Sequence, residues 1–329
     1  MNRNTRNFLI GSGVAVATLG TVGALSYTVT HALVTVATDR KFNINPSIGI
    51  KKMVSGCKNI AIIEDNCAKN AKKLECCGCE AVFIKARDGA RLAGHLHLCD
   101  NAKRTVIAMH GWRSSWAKDF GAVSEFFHSN LCNVLYPEQR GQNNSGGEHI
   151  DFGLTERFDC ADWVSYINSR KELSSLPIYL CGVSMGATTV LMATGLPLPS
   201  NVVGVIADCG FTSPSAIWKH VASKNLHLSY NPLRAAMVRS ICKKKLNLDP
   251  DGYSTVDAMK KCRIPVLFVH GGGDHFVPME MTLENYKSCA SEKRLFIVSD
   301  ADHGMSYFTD RDGYEKEVLR FFRDCDRRI

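Results

Sequence analysis

An α/β fold, with a mostly parallel central sheet covered by helices on both faces, is predicted by three features of the chain. From about residue 80 to the end, short apolar runs of strand type alternate with segments of helical period, the pattern of βαβ units. Several runs, such as Thr105 to Met109 and Val202 to Ala207, are apolar without a break, as expected of strands buried on both faces. At Gly182-Val183-Ser184-Met185-Gly186, one strand passes directly into a helix through a Gly-x-Ser-x-Gly turn. A small helical lid insertion and an N-terminal transmembrane helix complete the expected architecture.

The chain has 329 residues, 45% of them hydrophobic and 22% charged, which suits one large α/β domain with additions. Net charge is +8, and no basic stripe interleaved with aromatics appears, so nucleic acid is not expected as a partner. Lys243-Lys244-Lys245 is expected to be a solvated helix face. The 14 cysteines are spread through the chain, and Cys160, Cys181, Cys209 and Cys262 lie in apolar runs where they act as small hydrophobes. Cys76-Cys77-Gly78-Cys79 is the one cluster. No second paired knuckle follows it, and free thiols or a local disulfide are expected there before a metal.

Residues 1–41 are expected to form a membrane anchor. Asn7 to Thr38 carries no charged side chain, and Phe8 to Tyr27 is long enough for one crossing at about 1.5 Å per residue. A cleaved signal peptide is the competing reading, since Arg3 and Arg6 precede the run. Positive charges on both flanks leave the orientation open, with the catalytic domain outside the cytoplasm as the expectation. Residues 42–80 form a linker or docking segment with a helix near Ile60 to Lys73.

Residues 81–329 form the main domain. Ala81 to Lys85 and Arg91 to Leu98 read as strands joined by a turn at Asp88-Gly89, with His95 and His97 half-buried on one face. Thr105 to Met109 is a buried strand ending in His110-Gly111-Trp112, and a helix from about Trp116 to His128 follows. After the strand Asn133 to Tyr136 comes the loop from Pro137 to Gly147, which lacks both the P-loop and the dinucleotide pattern. Thr155 is expected to cap a helix running to about Arg170. Residues 211–256 interrupt the alternation as a helical insertion over the site, punctuated by Pro214 and Pro232. Strands at Ile264 to His270 and Leu295 to Val298, then a helix over Tyr314 to Phe322, close the chain.

In such sheets, ligands bind outside the carboxyl ends of the strands. Those ends present Ser184, Asp274 in Gly273-Asp274-His275, and His303 in Asp302-His303-Gly304. A serine hydroxyl needs an imidazole to take its proton, and the imidazole needs a carboxylate to set its tautomer. Ser184, His303 and Asp274 are the candidate nucleophile, base and acid. Asp208 is a second candidate acid, and His110 and His275 are lesser candidate bases. The backbone N–H groups of Met185 and Trp112 are the candidate oxyanion donors.

His110-Gly111-Trp112, Gly182-Val183-Ser184-Met185-Gly186, Gly273-Asp274-His275-Phe276-Val277-Pro278 and Asp302-His303-Gly304 together resemble the α/β-hydrolase superfamily. Within it, the chain is similar to membrane-anchored bacterial hydrolases of the serine aminopeptidase and acyl-thioesterase-like branches. Gln139-Arg140-Gly141 resembles a family turn in which the arginine is structural. His275 stands where many relatives carry a less basic residue, and has no assigned role. The resemblance implies a serine hydrolase without cofactor or metal, acting on a small acyl substrate that is apolar on its acyl side. A carboxylic ester is the first expectation. An amide or thioester, or a silent membrane-tethered binding protein, are the alternatives.

Overall fold

A computed structural model describes residues 23–42 and 60–328. Eight strands form one sheet in the order β1-β2-β4-β3-β5-β6-β7-β8. They are β1 (Glu80–Lys85), β2 (Arg91–His97), β3 (Arg104–Met109), β4 (Cys132–Pro137), β5 (Ile178–Val183), β6 (Val202–Asp208), β7 (Val266–Gly271) and β8 (Lys293–Val298). The β1–β2 and β2–β4 pairs are antiparallel, and all the others are parallel. The expected hairpin therefore opens a mostly parallel sheet. At its turn Ala86 N–H donates to Ala90 O at 2.8 Å, and Gly89 takes a φ of +91°.

Strand pleating explains why these runs are apolar throughout. In β3, Ile107 and Met109 enter one core with Leu180, Val205 and Phe268, while Val106 and Ala108 enter the other with Tyr179, Ile206 and Leu267. The first core is covered by the helices Glu156–Ser169, Met185–Ala193 and Thr255–Met259. The second is covered by Trp116–Ser129 and Arg311–Asp326, with Leu74 of the helix Ile60–Glu75 beside them. Burying a side chain of this size contributes about 1.5–3 kcal/mol, so the two layers together dominate the stability.

The insertion is helical, as expected. Pro214 and Pro232 each stand in the first turn of a helix, where a missing N–H costs nothing. Ser213 and Asn231 cap those turns by accepting from Ala216 N at 3.1 Å and Arg234 N at 3.0 Å. Thr155 departs from expectation. It sits at the N-cap position without a capping bond, and Glu156 instead accepts from Asp151 N at 2.7 Å and Gly153 N at 2.8 Å.

The N-terminal segment is described only in part. Among the described residues no helix is long and apolar enough to cross a membrane. Most of the run from Phe8 to Tyr27 lies outside the described residues, so the expected anchor finds no support in them. What is described is a helix over residues 23–38 that packs on the domain. Val34 is buried in a cluster with Val238, Ile241 and Cys242 of the insertion helix Pro232–Leu246. Lys245 is accordingly not a solvated lysine, since its Nζ lies 3.0 Å from Asp39 Oδ2 and 3.2 Å from Thr35 Oγ1. The described part of the N-terminal segment thus packs on the main domain. Cys76, Cys77 and Cys79 are free thiols.

Candidate active site

The Gly-x-Ser-x-Gly turn places Ser184 between β5 and the helix Met185–Ala193, with φ +56° and ψ −118°. A side chain in that region is strained and is held there by its surroundings. Ser184 N–H donates to Asp208 O at 2.8 Å. The flanking glycines are required by space. A Cβ on Gly182 would lie 2.3 Å from Gly186 C, and one on Gly186 would lie 1.9 Å from Met109 O. The sharp turn that follows aims the hydroxyl at the carboxyl end of the sheet.

There the structure brings three predicted residues together. Ser184 Oγ lies 2.9 Å from His303 Nε2, and His303 Nδ1 lies 2.7 Å from Asp274 Oδ2. With Nδ1 donating to the carboxylate, Nε2 is left to accept the serine proton. Asp274 is buried and its other oxygen, Oδ1, accepts from Phe276 N and Val277 N, each at 2.9 Å. Burial alone would raise its pKa, but the charge on His303 and hydrogen bonds from His270 and His303 hold it well below the carboxylate range. Burial would likewise lower the His303 value, yet Asp274 and then Cys209 carry it well above the usual imidazole range.

The other candidates are placed elsewhere. Asp208 accepts from Ser306 Oγ at 3.1 Å, and burial pushes its carboxyl up to about 6. His110 is fully buried, its Nδ1 2.8 Å from Gly111 O and its Nε2 accepting from Gln139 N at 3.0 Å, so it braces the turn. His275 is exposed and offers its backbone carbonyl to His220 Nε2 and Asn225 Nδ2, each at 3.3 Å, tying the insertion to the Asp274 loop. Asp302 accepts from the His303 backbone N–H at 2.7 Å, as a turn residue does. Arg140 is structural, its guanidinium engaging Asp159 through two bonds of 2.6 and 2.5 Å and Asp88 at 2.7 Å.

Trp112 follows Gly111 at the end of β3, and Gly111 lies against Ser184, because a Cβ there would be 3.4 Å from Ser184 Cβ. Met185 is buried at the start of the helix after Ser184, where the helix leaves its first N–H groups unpaired. Both candidate donors therefore lie on segments next to Ser184, Met185 as its chain neighbour and Trp112 through Gly111.

Two residues near the triad escaped the sequence reading. His270 ends β7, fully buried, with Nε2 2.9 Å from Val277 O and 3.3 Å from Asp274 Oδ2, and Nδ1 2.7 Å from Thr282 Oγ1. It braces the acid from behind. Nothing in a histidine inside an apolar run announces this. Cys209 sits in an apolar run that predicts a small hydrophobe, and its thiol, pushed up to about 11 by burial, also has Sγ within 4.8 Å of an Asp274 carboxylate oxygen and a His303 ring nitrogen.

A buried apolar wall stands beside Ser184. Ile150, Phe152, Met185, Phe211, Ile217 and Val277 form it, with Ala37, Trp112 and Trp218 packed against them. Phe152 and Trp218 meet edge to face at 5.1 Å.

A strand-borne serine turn, an acid after β7 and a histidine after β8, on an eight-stranded sheet of this order, define an architecture that known proteins share. The chain belongs to the α/β-hydrolase superfamily. It is 30% identical over 246 residues to the uncharacterized protein YqkD of Bacillus subtilis, covering 73% of this chain and 78% of that one. It is 21% identical over 221 residues to protein bem46 of Schizosaccharomyces pombe, covering 66% of this chain and 68% of that one. Among solved structures it is similar to the Pyrococcus furiosus esterase Pf2001, with a TM-score of 0.62 and 23% identity over 77% of this chain and 95% of that one. No family model matches the chain.

Proposed function

We propose that this protein is a serine hydrolase that cleaves a carboxylic ester through an acyl-enzyme intermediate. The reading is carried by one observation: the continuous relay from Ser184 Oγ through His303 to Asp274, at 2.9 and 2.7 Å. Ser184 Oγ attacks the carbonyl carbon while His303 Nε2 takes its proton, and Asp274 stabilises the imidazolium. The N–H groups of Trp112 and Met185 receive the negative charge on the former carbonyl oxygen, each contributing about 3 kcal/mol in comparable sites. Collapse of the tetrahedral species expels the alcohol, which leaves with the proton from His303. Water, deprotonated by the same nitrogen, then releases the acid and restores Ser184.

The apolar wall of Phe152, Phe211 and Trp218 supports an acyl group that is itself apolar. Tethering to a membrane through residues 8–27 stays part of the proposal and rests on the apolar run alone. A fluorophosphonate probe should label the wild-type chain and not Ser184→Ala. Folded wild type that does not label would sink the hydrolase reading. A p-nitrophenyl ester series set against aminoacyl-anilides and acyl-CoA identifies the bond, and a preference for anilides or acyl-CoA would replace the ester with an amide or thioester.

A further inference from the structure

The helix over residues 23–38 ends against the turn that carries Trp112, and its last carbonyls are spent there. An α-helix leaves its final C=O groups without partners inside the helix. Here Val36 O accepts from Arg113 Nη2 at 2.7 Å, Ala37 O from Trp112 Nε1 at 2.8 Å, and Thr38 O from Ile150 N at 2.7 Å. Asp39 O, just beyond the helix, accepts a further bond from Arg113 Nη2 at 2.7 Å. The acceptors of the helix end are thus matched to donors on the oxyanion turn and on the strand of chain that leads into Phe152.

Arg113 suits this position in three ways. Its backbone lies in the left-handed region at φ +50°, a costly conformation for a branched-off side chain that neighbours must impose. Its N–H donates to Gln142 Oε1 at 2.6 Å, so the turn is held from within. Its cation sits at the negative end of the helix dipole, where it is favoured. The same helix end grips the insertion through Asp39 and Lys245 at 3.0 Å, and Ala37 joins the apolar wall beside Ser184.

We infer that the helix over residues 23–38 is a working part of the active site, with Arg113 as the positioning residue that ties it to the oxyanion turn. Arg113 holds the turn so that the Trp112 N–H faces the point that the Met185 N–H also faces. The N-terminal segment then acts on the chemistry directly, in addition to anything its beginning is fastened to. The inference rests on the serine-hydrolase reading of Ser184.

The test uses the full chain and the variants Arg113→Ala, Arg113→Lys and Trp112→Phe. It reads kcat and KM on p-nitrophenyl butyrate and inhibition by a phenylboronic acid, whose tetrahedral adduct places an oxygen in the oxyanion position. Arg113→Ala should lower kcat on the order of a hundredfold, as expected when a reacting geometry slips by about 1 Å. The boronic acid should weaken by a similar factor, while KM stays within about threefold and the pH profile of kcat keeps its shape, because the triad is untouched. Arg113→Lys, which keeps the charge and loses the planar fork, should fall between. Folded Arg113→Ala with kcat and boronic-acid affinity near wild type, or a loss carried by KM alone, overturns the inference. Should Arg113→Ala not fold, Trp112→Phe decides. It keeps the backbone N–H and an aromatic ring but cannot make the bond to Ala37 O, and it must still lose about tenfold in kcat. An unchanged Trp112→Phe then overturns the inference. A wild type that neither labels nor turns over esters overturns the hydrolase reading instead, so the two failures are distinct.

Discussion

His303 faces Ser184 with one ring nitrogen, at 2.9 Å, and Asp274 with the other, at 2.7 Å. The ring can hold a proton for the serine only if it begins neutral at Nε2, and the Asp274 charge works against that by favouring the imidazolium. This tension makes the pH dependence informative.

The rising limb of kcat/KM should have its midpoint above the ordinary histidine value of 6.5, because the His303 pKa is raised. Asp274→Asn should move that midpoint down. The sign for stability is opposite to that for activity. A raised folded pKa contributes stability that is complete below about 6.5 and is lost as pH climbs through the folded value. Thermal melts should therefore show wild type losing ground to His303→Gln as pH rises beyond 6.5. A midpoint at or below that value would mean that burial outweighs the Asp274 charge at His303.

Asp274→Asn should lower kcat by about 10³–10⁴-fold, since the amide cannot fix the tautomer or balance the imidazolium. Asp208→Asn should cost less than about tenfold, because its carboxylate bonds Ser306 rather than His303. Steady-state kinetics on both variants decides between the two carboxylates. Equal losses would mean that the orienting role is shared.

Gly186→Ala should destabilise the chain by about 3 kcal/mol or more, because its Cβ would meet the Met109 carbonyl at 1.9 Å and the backbone there has nowhere to go. Gly78→Ala is the control. It places a Cβ in open space at φ +74°, and should cost about 1 kcal/mol from backbone strain alone. Urea unfolding of the two variants measures the difference.

Trp218→Ala should shift the acyl preference toward longer chains, because it removes one face of the wall that Phe152 and Phe211 complete. The gain for a longer ester over a shorter one should be about 0.8 kcal/mol per added buried methylene. The ratio of kcat/KM along an ester series reads this directly, and an unchanged profile would place the acyl group elsewhere.

Much of this site was legible in the chain because local chemistry wrote it there. Ser184 was visible because a strand can turn into a helix so tightly only with glycine at 182 and 186, and Asp274 and His303 because each follows an apolar strand at its carboxyl end. The continuous apolar runs announced a sheet buried on both faces. Sequence order also named Asp274 over Asp208, and the bond to His303 agrees with that choice.

Other features depend on which distant surfaces meet, and no local pattern encodes that. His270 looks like any strand histidine until folding sets it 3.3 Å from Asp274. Lys245 looks like one of three solvated lysines until the chain's beginning returns to it. The serine turn and the alternation of strands and helices are determined by the sequence alone, because backbone sterics and hydrophobic period act over a few residues. The role of residues 23–38 was decided only by tertiary structure, because the carbonyls of one helix end found their donors on a turn some 75 residues away.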